Sequence, residues 1–143
     1  MSSIFSDSGP AARWLLAVCS GSTPEYWPVL PTDAERLLPA MARAHRLASR
    51  AGGRLAAHGL TDSAPARALV SAWREGLGEQ ALFAEALGEI DRRAAEAGIE
   101  MLALKGADLS RRIYPPGERT SNDIDLLVRP EHLAVAEGVL AAA

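Results

Sequence analysis

The sequence contains a single cysteine, Cys19, and so cannot hold an intramolecular disulfide framework or a cysteine-rich zinc site. Lysine is almost missing as well. Of fifteen basic residues, fourteen are Arg and one, Lys105, is Lys. Together with the abundance of Ala, that skew points to coding from a GC-rich, bacterial genome. Long apolar runs are also lacking: none reaches the roughly 18 consecutive residues that a membrane span requires. The apolar stretch from Trp14 to Cys19 is too short for a secretory signal. It follows Asp7 and has Val18 where cleavage needs a small residue, so the expectation is a cytoplasmic chain with no membrane partner. Nor is there an excess of charge of one sign. A net charge of −3 and a pI near 5.6 give no bulk attraction to nucleic acid or anionic lipid, which argues against a nucleic-acid partner.

What is present is Ala, twenty-eight residues of it, within a chain of 143 residues that is 48% hydrophobic. That length suits one domain, with a core built largely from small side chains that each bury little area. A Ser-rich opening over 1–9 is expected to fray. Pro10 can occupy the first turn of a short helix through Trp14 to Cys19, ended by Gly21. Pro24, Pro28 and Pro31 predict a loop over 21–31. Thr32 with Glu35 three residues on forms a capping-box start, and the helix it opens is expected to reach about Arg50, where Gly52-Gly53 stops it. Ser63-Ala64-Pro65 opens a second long helix toward Ala97, with a bend possible at Gly76 or Gly78. Phe83, Leu87, Ile90 and Ala94 share one of its faces.

At Gly98 the texture changes. Ile99 to Leu104 reads as a buried strand, ended by Lys105-Gly106. Ala107 to Ile113 fits a two-turn helix, and Tyr114-Pro115-Pro116-Gly117 a turn. Asp123 to Val128 reads as a second strand, and Pro130-Glu131 opens a helix carrying Leu133, Val135, Val139 and Leu140. The expected division is therefore a helical region over 1–97 and a β-α-β-α segment over 98–143, an α+β chain.

The chemistry lies in this last segment. Residues two apart on a strand share a face, so Asp123 and Asp125 would stand together on an otherwise apolar strand. Their repulsion and lost hydration are offset most simply by a divalent cation. Mg²⁺ accepts one or two carboxylates and keeps its other positions for water and phosphate. The plainer alternative is that Asp123 caps the strand while Asp125 pairs with Arg119 or Arg129. Lys105-Gly106 stands where a strand turns into a helix, a place that offers free N–H groups and a point charge to a phosphate. Otherwise Lys105 simply reaches solvent. Arg119 could add a guanidinium to the same anion, or Glu118-Arg119 could be a solvated loop pair. His45, His58 and His132 lack ligand spacing, Cys19 reads as a small buried hydrophobe, and Trp14, Trp27 and Trp73 read as packing residues.

Taken in order, Leu104-Lys105-Gly106-Ala107, Tyr114-Pro115, Arg119 and the run from Asp123 to Glu131 resemble the uncharacterised nucleotidyltransferase family of the DNA polymerase β-like superfamily, with Lys-Gly where that superfamily usually has Gly-Ser. The resemblance covers about residues 85–143. It implies the opening β-α-β-α part of that fold and transfer of a nucleoside monophosphate from an NTP to an acceptor with Mg²⁺ or Mn²⁺. By position it makes Asp123 and Asp125 the catalytic metal ligands, Lys105 and Gly106 the holders of the triphosphate, and Arg119 a weaker phosphate contact. The superfamily generally takes a third carboxylate from a later strand, which this sequence does not contain. The expectation is therefore a site carried only in part by this chain and completed by further sequence, a partner chain or an oligomer. The acceptor is left open between a small molecule, a peptide and a macromolecule. Three rivals stand beside this reading: a non-catalytic nucleotide-binding or interaction module, a phosphotransferase moving the γ-phosphate, and a toxin-like enzyme acting on tRNA, which the −3 charge disfavours.

Overall fold

A computed structural model describes residues 9–21, 32–121 and 123–142. The Ser-rich opening and the proline-bearing loop over 22–31, with Trp27, lie outside the described residues. The chain forms α1 (Gly9–Cys19), α2 (Thr32–Ala44), α3 (Ala48–Ala57), α4 (Ala64–Glu96), β1 (Met101–Leu104), α5 (Lys105–Arg112), β2 (Asp125–Val128) and α6 (Leu133–Ala142). It is a mostly helical α+β fold with one two-stranded antiparallel sheet. Contacts divide it into two compact units, Met1–Gly76 and Leu77–Ala143, and α4 supplies residues to both.

In the first unit, Ala11, Ala42, Ala48, Ala51, Ala66 and Ala72 are buried together with Leu15, Leu38, Leu55 and Leu69. The larger side chains supply most of the burial free energy, about 1.5–3 kcal/mol for each fully buried Leu. The alanines let the helices approach. Cys19 is buried and its thiol faces the Leu47 carbonyl at 3.9 Å, while Trp14 and Trp73 pack against the core as expected. Ser63 caps α4 by accepting the Ala66 N–H at 3.2 Å.

The single helix expected from Thr32 to Arg50 is two. Arg46 adopts φ 56°, the Leu47 N–H reaches back to the Ala42 carbonyl at 2.7 Å, and the Arg46 N–H to Arg43 at 3.0 Å. This is the Schellman arrangement, closed here by arginine where glycine is usual. Gly52-Gly53, the expected stop, lies buried in the middle of α3. A Cβ at Gly52 would collide with the carbonyl of Leu69, so glycine serves there for close helix approach.

The helix α4 runs through Gly76 and Gly78 without a break and, in the second unit, ends in another Schellman turn. Gly98 has φ 68° and the Ile99 N–H bonds to the Ala94 carbonyl at 2.9 Å, which aims the chain into β1. Leu87, Ile90 and Ala94 are buried, with Phe83 half-buried. Met101 pairs with Val128, Leu102 with Leu127, Ala103 with Leu126 and Leu104 with Asp125. Met101 and Val128 pack on Ala94, Ile99, Ala136 and Val139. The opposite face carries Leu102 and Leu127, 57% and 56% exposed, so the strand read as buried is covered on one face only. A groove of about 600 Å³ is lined by Glu100, Met101, Leu102, Leu127, Val128 and Arg129. Pro130–His132 forms a 3-10 turn before α6 instead of the helix's first turn, and Leu133, Val135 and Leu140 are exposed.

Along α4, Arg92 and Arg93 both bind Glu89, at 2.7 and 2.6 Å. Their hydrogen bonds hold the Glu89 carboxyl at about 2, below its ordinary 4.5. A carboxylate depressed in the folded chain stabilises it fully above pH 4.5, and that contribution fades as pH falls toward 2. Melting temperature recorded against pH at low salt should therefore fall more steeply in wild type than in Glu89→Gln over that interval. The difference should shrink in high salt, because the pairs are exposed.

Glycine positions give a sharper contrast. Gly52→Ala should cost about 2 kcal/mol or more in chemical denaturation through backbone overpacking. Gly88→Ala, on the same class of element but facing open space, should stabilise by about 0.5–1 kcal/mol.

Candidate active site

The site is built where β1 leaves the sheet. Lys105 has φ 49°, in the left-handed region, and this single reversal ends β1 and starts α5. Because Leu104 pairs with Asp125, the next residue falls beside that carboxylate. Lys105 Nζ lies 3.1 Å from Asp125 Oδ2, with the lysine side chain 74% and the aspartate 38% exposed. Asp125 therefore pairs with neither Arg119 nor Arg129. Arg129 meets Glu100 at 3.3 Å, and the Arg119 guanidinium sits over the Tyr114 ring at 5.2 Å.

Gly106 is a point of close approach: a Cβ there would strike Ser121 Oγ. Ser121 Oγ in turn donates to the Asp123 carbonyl at 3.0 Å. The two aspartates differ in setting. Asp125 opens β2, whereas Asp123 precedes it and is exposed. The expected strand from Asp123 thus begins two residues late, because β1 ends at Leu104 and leaves nothing for Asp123 to pair with. The two-residue face rule consequently holds for Asp125 and Leu127 and does not extend to Asp123.

Glu118 is not a solvated loop residue. It is 7% exposed, and Arg119 beside it is half-buried. Two residues that sequence reasoning passed over also belong here. Ser121 links Gly106 to Asp123. Gln80, on α4, donates from Nε2 to the Ser110 carbonyl at 2.7 Å and accepts the Gly117 N–H on Oε1 at 2.8 Å. Ser121 stands close to the acidic pair in the sequence, but nothing near Gln80 marks its partners, 30 and 37 residues away.

As donors, Asp123 and Asp125 are two solvent-reachable carboxylates two residues apart, a hard-oxygen set of the kind that suits Mg²⁺ with water and phosphate in its remaining positions. Among the described residues no group of three or more His, Cys, Asp or Glu could hold a metal ion. His45 and His58 are exposed and His132 is half-buried. Among the described residues no helix is long and apolar enough to cross a membrane.

The model of a family described as "Uncharacterised nucleotidyltransferase" matches residues 31–143, which takes in α2 through α6 and every site residue above. The chain belongs to that family. No curated protein and no solved structure matches it. The family match extends the resemblance seen over 85–143 back through α2, α3 and the whole of α4. In this chain the match takes in both the helical region and the short sheet that bears the Lys-Gly turn and the acidic pair.

Since Lys105 neutralises Asp125, a cation arriving at the aspartates meets a positive charge already in place. Lys105→Met should raise Mn²⁺ affinity in the absence of nucleotide by about three- to tenfold, read by electron paramagnetic resonance at low salt. Unchanged or weaker Mn²⁺ binding would show that the lysine does not guard that carboxylate.

Proposed function

We propose that the protein transfers a nucleoside monophosphate from an NTP to an acceptor with the help of Mg²⁺ or Mn²⁺. Asp123 and Asp125 would hold the metal, Lys105 and the Gly106 backbone would hold the triphosphate, and Arg119 would contribute a weaker phosphate contact. The observation that carries the reading is the 3.1 Å meeting of the chain's one lysine with Asp125 at the mouth of a glycine turn. A phosphate-binding cation and a metal-binding carboxylate there share one place.

In this reading the nucleophilic atom of the acceptor forms a bond to the α-phosphorus as the bond to the bridging oxygen breaks. Pyrophosphate departs, and the acceptor's proton passes to water. The bound divalent ion supplies charge neutralisation for the phosphates and the leaving group. Lys105 and Arg119 orient the triphosphate together with the backbone at the start of α5. Positioning and charge neutralisation supply most of the rate in phosphoryl chemistry of this kind, which is why few groups suffice. The acceptor is a small molecule, a peptide or another macromolecule.

The exposed face bearing Leu102 and Leu127 favours a second reading, in which a partner chain or a second copy covers the sheet and completes the site. The two readings and phosphotransfer separate in one experiment. The protein is incubated with Mn²⁺, a cell-extract acceptor fraction and ATP labelled at the α or the γ position. Label from the α position in product, lost by at least a hundredfold in Asp123→Asn and Asp125→Asn, is expected. Label only from the γ position would mean phosphotransfer. Metal-dependent nucleotide binding without labelled product would favour the module that needs a partner.

A further inference from the structure

We propose that Gln80 is a positioning residue for the loop that carries Arg119. Its side-chain amide, used from both ends, fixes Gly117 against α4 and so sets where the Arg119 guanidinium stands toward the nucleotide. The nucleotide part of this proposal rests on the transfer reading above. The hold of Gln80 on the loop does not.

Gln80 is the only glutamine in the chain, and both ends of its amide are engaged. One partner is a carbonyl, Ser110 O at 2.7 Å, and the other an N–H, that of Gly117 at 2.8 Å, so the orientation of the amide is fixed by its partners. Ser110 and Glu118 are 6% and 7% exposed, Gly117 is buried and Gln80 is half-buried, so the backbone groups that Gln80 holds are largely withdrawn from water. Buried backbone groups left without a partner are strongly unfavourable, so the loop has one position in which these groups are satisfied.

The described residues between α5 and β2, 113–121 and 123–124, form no regular secondary structure. Several of their bonds are internal: Glu118 N–H to the Pro115 carbonyl, Arg119 over Tyr114, and Ser121 Oγ to the Asp123 carbonyl. The Gly117 N–H reaches outside the loop to Gln80 on α4, Ser121 lies close against Gly106, and Arg119 stands between these two points. Releasing the first frees the Gly117 N–H, two residues before Arg119, from α4.

No other residue type reproduces this at similar size. Glutamate keeps an acceptor for Gly117 but sets a carboxylate against the Ser110 carbonyl. Methionine keeps the shape and removes both bonds.

The test is a double-mutant cycle on the full chain with Gln80→Met and Arg119→Ala, reading the Kd of ATP, CTP, GTP and UTP in Mn²⁺ by calorimetry. Amide hydrogen exchange over 114–121 and over α4 is recorded alongside it. Gln80→Met should raise the Kd of the preferred nucleotide about five- to thirtyfold, yet add less than twofold once Arg119 is already Ala. Mn²⁺ binding without nucleotide should stay within twofold of wild type. Exchange should quicken at Gly117 to Arg119 while α4 keeps its protection. Additive effects on Kd, a parallel loss of Mn²⁺ binding or unprotected α4 would each overturn positioning in favour of general damage. Unchanged loop exchange would overturn it without any ligand. If wild type binds none of the four nucleotides while the loop still responds to Gln80, the transfer reading is what fails, and the role toward nucleotide is overturned with it.

Discussion

The antiparallel pairing of Leu104 with Asp125 determines what stands at the acidic end of the sheet. One residue past that pair the backbone turns into the left-handed region at Lys105, and the same step ends β1, begins α5 and lays the lysine against the carboxylate. A non-glycine residue there costs about 1–3 kcal/mol. An ion pair as exposed as this one returns about 0–1 kcal/mol, so it does not hold the turn by itself. The strand register and the packing of Gly106 against Ser121 must supply the rest. A strained residue maintained by its surroundings at the meeting of two charges is the kind of feature that active sites retain.

Much of the second unit could be read locally. The Schellman signal at Gly98, the short apolar run that follows, the Lys-Gly turn and the Asp-Ile-Asp run are all decided by neighbours within a few residues. What failed was decided at a distance. Gly52-Gly53 has the composition of a helix stop, and only the Leu69 carbonyl, brought against it by folding, makes it a place of close approach. The break at Arg46 was hidden because arginine occupies the position where glycine would have announced it. Asp123 was assigned to a strand because its own side-chain pattern allows one, but strand length is set by the partner, which stops at Leu104. Gln80 had no signal at all, since a polar residue on a long helix is ordinarily a solvated one.

The alanine content has a physical counterpart in the first unit. Helices lined with Ala and one glycine approach closely, and the stabilisation then rests on a few large side chains, Leu38, Leu55, Leu69 and Val18. Such a core tolerates little added volume at the contact between α3 and α4, where Ser49 Oγ also reaches the Ala72 carbonyl at 3.1 Å. The sheet of the second unit is the reverse case: one face packed by Met101 and Val128, the other presenting Leu102 and Leu127 to solvent. Two leucines a little more than half exposed forgo roughly half of the 1.5–3 kcal/mol that full burial of each supplies, so a covering element would gain by meeting them.

The two aspartates are held by different means, and that difference matters for any cation they share. Asp125 is fixed by the strand ladder and by Lys105, whereas Asp123 is exposed and its backbone is held through Ser121. Ser121 also fills the space that only a glycine at 106 leaves open. A shift of the Lys-Gly turn is therefore transmitted to Asp123 through Ser121 and to Asp125 through the lysine. Both carboxylates are thereby tied to the element expected to hold the triphosphate, by routes that do not share an atom. In this arrangement the Lys-Gly turn and the acidic pair are linked through two separate contacts. A site that must assemble metal and triphosphate together gains from that coupling, because little reorganisation is left for the moment of reaction.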